Sequence, residues 1–142
     1  MEIADVRKRV LETVARAKAA AKARRARNEQ AATEYPRFLE TVAVPICRQL
    51  VNVLRSEGHH WTLATPSGGI RLDSDRSSDE FLQVSLDATS DPPSVVCRTR
   101  RRQGGRILES ERPMNESGSI AELTEDEVLR FLLVEFEPFV DR

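Results

Sequence analysis

The chain is poor in the residues that build obvious chemistry. It holds two cysteines, two histidines, one tryptophan and one tyrosine in 142 residues. Cys47 and Cys97 are too few for a disulfide framework. No CxxC or HxxxH spacing marks a metal site, so no metal ligands and no cofactor are expected. No apolar run approaches the roughly 20 residues of a membrane-spanning helix, and no membrane partner is expected. The first residues, MEIADVRKRV, are charged from Glu2 onward and lack an apolar core segment, so no secretory signal is read there. The Ala- and Arg-rich start has some of the composition of an organelle transit peptide, but Glu2, Asp5 and Glu12 weigh against that. The expected compartment is the cytoplasm. Aromatic residues make up 5% of the chain and none is interleaved with the basic runs, which removes the usual stacking platform for bases. The sequence has no internal repeat.

Charge is what the chain has in quantity. Charged residues make up 32% of it and apolar residues 39%, with a formal net charge of −1. The near-neutral sum conceals a polarised chain. Residues 7–27 carry nine bases and one acid, Glu12, whereas residues 109–142 carry ten acids and three bases. Such a chain can hold an anion at one end or pair head to tail with another copy of itself. Its length is that of one domain with a core of its own.

Residues 2–34 read as one long helix, rich in Ala, Lys, Arg and Glu and free of Gly and Pro. Ile3, Val6, Val10, Thr13, Ala17 and Ala20 follow a 3-4 spacing, a narrow seam suited to a second helix. Tyr35-Pro36 is expected to break this helix, because proline disfavours helical geometry in the residue before it. A second helix over residues 37–57 presents Phe38, Leu39, Val42, Ile46, Leu50, Val53 and Leu54 on one face. Pro45 should kink it and Gly58 should cap it.

The period then changes. Residues 60–65, the Ile70/Leu72 segment, the Leu82/Val84/Leu86 segment, residues 95–102 and residues 106–112 read as five short strands joined by turns. That is the signature of an antiparallel meander. Thr124 and Glu127 form a capping box with a Leu123/Val128 staple, so a last helix is expected from Thr124 to about Glu137, ending before Pro138. Val128, Leu129, Phe131, Leu132, Leu133, Val134 and Phe136 surround that helix on most sides, so it needs more than one cover. The expected fold is α+β: two N-terminal helices, the first long and basic, a five-stranded antiparallel meander, and a C-terminal helix packed on the sheet. Residues 1–34 are read as a long basic helix, projecting or in a coiled coil, and residues 35–142 as the globular domain.

Residues 98–106, RTRRRQGGR, form the most charged stretch. If Gly104-Gly105 is a two-residue turn, Gln103 faces Arg106, Arg100 faces Glu109 and Arg98 faces Glu111. The last two would be cross-strand ion pairs of ~0.2–1 kcal/mol each. Arg101, Arg102 and Arg106 are left over near the tip, as candidates for an anion contact. On the first helix the candidates are Arg16, Lys22, Arg24, Arg25 and Arg27, whose clustering suits a nucleic-acid backbone or an acidic protein surface. His59 and His60 are adjacent at a strand start and point to opposite faces, a poor chelate. Asp73–Ser77 begins like a calcium loop, but Ser78 and Val84 stand where that loop needs glycine and glutamate. Ser67-Gly68-Gly69 lacks the lysine of a phosphate loop and reads as a turn. Cys47 and Cys97 read as small core residues.

The sequence therefore points to a non-enzymatic interaction module, self-associating as a dimer and docking through its first helix at Ile3, Val6, Val10 and Ala17. The alternative is a nucleic-acid-binding accessory protein that uses the basic helix together with the arginine tip.

Overall fold

An Ala/Arg/Lys-rich run with no glycine before residue 58 is free to stay helical over a long distance. In a computed structural model of the chain, describing residues 1–115 and 118–141, it does so from residue 3 to residue 56. Helix α1 covers Ile3–Phe38, a wider turn covers Leu39–Ala43, and α2 covers Val44–Ser56. The expected pair of helices is thus one rod, and the break at Tyr35-Pro36 does not occur. Pro36 lies inside α1 on an exposed face, so the carbonyl that loses its donor can turn to water. Ala31, Tyr35 and Phe38, all buried, anchor the chain on both sides of the proline. The Tyr35 hydroxyl donates to the Gly68 carbonyl at 2.8 Å, so tertiary contacts outweigh the local preference. The kink expected at Pro45 takes the form of the wider turn just before it. There the Val44 N–H reaches back five residues to Leu39, which carries the backbone past a ring that has no N–H to offer.

Gly58 stops the rod as its position suggests. It sits at φ 88°, with its N–H on the Arg55 carbonyl at 3.1 Å and the His59 N–H on the Leu54 carbonyl at 2.8 Å. This is a Schellman termination, which needs a left-handed residue.

Five strands follow: β1 Trp61–Ala64, β2 Gly69–Ser74, β3 Phe81–Asp87, β4 Ser94–Gln103 and β5 Arg106–Pro113. They pair antiparallel in chain order, so the sheet is a meander. The β4–β5 register is the one the glycine pair dictates, with Gln103 opposite Arg106, Arg100 opposite Glu109 and Arg98 opposite Glu111. Gly104 alone of the pair has positive φ, 62°, which makes the turn type II′. Gly69 has a different reason to be glycine: a Cβ there would lie 2.5 Å from the Val84 carbonyl oxygen.

The last helix, α3, covers Glu125–Val140. Thr124 Oγ1 accepts from the Glu127 N–H at 3.2 Å, while the Glu127 carboxylate turns to the Thr124 hydroxyl at 3.1 Å. The helix does not end before Pro138. It runs through to Val140 because Phe139 is buried edge-on against Trp61, 5.1 Å between centroids, which keeps the last turn in place.

Ala31, Tyr35 and Phe38 of α1, Ile46, Cys47, Leu50 and Val51 of α2, and Val128, Leu132, Phe136 and Phe139 of α3 share one core. The sheet contributes Trp61, Ile70, Leu72, Leu82, Val84, Val95 and Cys97, which alternation puts on a single face. The over-apolar last helix thus finds its second cover in α2, as well as the sheet. Glu135 of α3 is buried in this layer and accepts from Arg112 Nη1 at 2.7 Å.

Candidate interaction surfaces

Helix α1 docks on its own domain only at its C-terminal end. Residues 1–30 are exposed apart from the half-buried Ala21. At 1.5 Å per residue, the stretch before Arg27 overhangs by about 36 Å. The seam named from sequence is bare: Ile3 is 86% exposed, Val10 is 53% exposed, and Val6 and Ala17 are exposed as well. Leu11, 58% exposed, and Val14 widen the apolar stripe. The 3-4 reading passed over both, although Val14 lies one turn beyond Val10 and was legible from that spacing. The same 3-4 ladder continues through Arg24, Arg27, Ala31, Tyr35 and Phe38. Such a ladder drifts by about 20° per heptad around a straight helix, so the bare stripe is turned away from the face that seats α1 on the core.

Two contacts fix the point where the overhang leaves the domain. Arg27 grips Asp91, in the β3–β4 loop, through two nitrogens at 2.8 and 2.9 Å. That bond holds the Asp91 carboxyl below the usual carboxylate range and raises the Arg27 guanidinium. The Ala121 N–H donates to Glu34 Oε2 at 3.3 Å. Arg27 is therefore a strut of the fold. Arg16 donates to Thr13 Oγ1 at 3.2 Å and is exposed. Lys22, Arg24 and Arg25 are exposed and make no ion pair within 4 Å among the described residues.

The arginine tip is partly spoken for. Arg102 pairs with Asp79, and its N–H donates to the buried Glu80 carboxylate at 3.1 Å. This pairing draws the Asp79 carboxyl below its ordinary value. Arg101 donates to Gln103 at 2.8 Å, and Arg106 is exposed in the turn. Of the two expected cross-strand pairs, Arg100 meets Glu109 at 3.3 Å. Arg98 stands opposite Glu111 but forms no ion pair with it among the described residues. Its guanidinium lies over the Phe81 ring at 5.6 Å, and Arg71 covers the same ring at 4.0 Å. Phe81 faces away from the core and is nonetheless buried, because two arginines cap it.

The basic helix and the tip do not meet. Antiparallel order puts the β1–β2 turn and the β3–β4 loop at one end of the sheet, where Tyr35 and Arg27 attach. The β4–β5 turn lies at the other end. The ten residues of β4 separate them by roughly 30 Å.

His59 and His60 border a recess of about 210 Å³ with Trp61, Ser74, Arg76 and Phe136. The His59 ring stands edge-on to Phe136 at 6.2 Å. Neither histidine is hydrogen-bonded to a carboxylate or hydroxyl among the described residues, and no group of three metal-ligating side chains converges there. Both cysteines are free and buried, and burial pushes each thiol up to about 12. No helix among the described residues is long and apolar enough to cross a membrane. Comparison with protein-family models, curated proteins and solved structures finds no match to this chain.

Proposed function

We propose that the protein is a non-enzymatic interaction module that self-associates through its first helix, within a larger complex of the cytoplasm. The observation that carries the reading is the bare apolar stripe Ile3, Val6, Val10, Leu11 and Val14 on a helix held clear of its own core. Isolated helices are marginal in water, and an apolar stripe on an overhang lowers solubility unless something covers it. Two free, buried thiols support a reducing compartment. Replacement of Ile3, Val6 and Val10 by serine tests the reading. These side chains are exposed, so the variant should keep the parent's folded circular dichroism spectrum while the oligomer in size-exclusion light scattering falls to monomer. An unchanged oligomer, or a monomeric parent chain, contradicts it.

A nucleic-acid role keeps one supporting observation, the exposed Lys22, Arg24 and Arg25, which make no ion pair within 4 Å among the described residues. On that reading, anisotropy of labelled DNA or RNA rises with added protein at low salt and falls steeply as salt is raised. Charge reversal at those three positions then removes most of the response. No binding at low salt rejects the role.

A further inference from the structure

Like charges oppose a simple pairing of two α1 overhangs. Each carries eight bases and three acids over residues 1–26. Packed helix axes lie only about 8–10 Å apart. That distance is comparable with the Debye length of about 8 Å at physiological salt, so the repulsion survives. The chain itself supplies a better surface. The outward side of α3 exposes Leu133, Val134 and Val140, three apolar residues that its own core leaves uncovered. Around them stand the exposed acids Glu125, Asp126, Glu127, Glu137 and Asp141. Among the described residues of α3 the one base, Arg130, is bound to Asp126 at 2.6 Å, and Arg101 of β4 borders Val134, Glu137 and Asp141. The overhang, basic and free of acids over residues 16–25, and the α3 face, on which acids outnumber bases, are complementary in charge, and each carries an apolar strip.

We propose that the α1 overhang of one copy docks on the outward face of α3 of another copy. Each contact joins two different patches, and the reciprocal pair of contacts closes an isologous two-fold dimer. It rests on the self-association proposed above and names the surface that receives the helix.

Two exposed-site variants test it. One removes the donor stripe (Ile3→Ser, Val6→Ser, Val10→Ser). The other removes the acceptor strip and repels the bases (Leu133→Lys, Val134→Lys). Circular dichroism confirms that both are folded. Each alone should sediment as a monomer. Mixed in equal amounts they keep one of the dimer's two reciprocal contacts and should form a one-to-one complex weaker than the parent dimer, because one still owns an intact α3 face and the other an intact α1. That complex should weaken as salt rises. If the α3 variant still self-associates like the parent, the docking surface is wrong while self-association stands. If the parent chain is itself monomeric throughout the micromolar range, self-association fails with it.

Discussion

Replacing Trp61 by alanine should remove about 3–5 kcal/mol of stability, the cost of deleting a large buried aromatic. Trp61 is buried on edge strand β1, with Phe136 at 5.6 Å and Phe139 at 5.1 Å, both rings edge-on. These three rings tie the outer strand to the last turns of α3. They also hold that helix through Pro138. Small domains have about 5–15 kcal/mol in total, so the variant should sit near the edge of folding. Trp61 is the sole tryptophan, so the urea midpoint must be read by circular dichroism. A phenylalanine at the same place keeps an aromatic edge for both partners and should lose much less. A loss below about 1 kcal/mol for alanine would mean that α3 is not seated on β1, because deletion of a buried aromatic costs several times that.

The second large effect is expected in alkali. Burial moves the thiols of Cys47 and Cys97 from an ordinary value of 9.0 up to about 12, and Tyr35 from 10.0 to about 12. For Cys97 the nearby Glu135 carboxylate adds to the rise. These groups stay neutral in the folded chain and ionise earlier in the unfolded one. The stability they contribute is therefore complete below pH 9 and is lost as the pH climbs from there towards 12. By proton linkage, each thiol should cost on the order of 1 kcal/mol between pH 8 and pH 10. Urea midpoints taken over that interval should fall steeply for the parent. They should fall less for a Cys47→Ala, Cys97→Ala double variant, whose absolute stability is lower. Parallel pH slopes for the two proteins would show that the thiols are not the titrating groups.

Most of the sheet was legible because its signals are local. Recurring apolar positions placed the first three strands, and Gly104-Gly105 placed the last two and set the β4–β5 register residue for residue. Gly58 and Thr124 marked helix ends through their own backbone and hydroxyl chemistry. What the sequence misplaced depends on distant partners. Pro36 and Pro138 each looked like a stop, and each is overridden by a buried aromatic just beyond or before it, Tyr35 and Phe38 in one case and Phe139 in the other. Arg27 and Arg102 looked available because their acids, Asp91 and Asp79, sit in loops 64 and 23 residues away in sequence. Arg98 had a carboxylate opposite it and took the Phe81 ring, a choice that pairing rules do not encode. The bare stripe of α1 was readable as a pattern. Its exposure was not, because it depends on where the β3–β4 loop and Arg27 hold the helix.

The most direct test of the central proposal, that the α1 overhang is an association surface, is sedimentation velocity of the intact chain over the micromolar range beside the Ile3→Ser, Val6→Ser, Val10→Ser variant. The expected result is a parent whose sedimentation coefficient rises with concentration and a variant that stays at the monomer value. A parent that sediments as a monomer at every concentration, or a variant that associates as strongly as the parent, would contradict it.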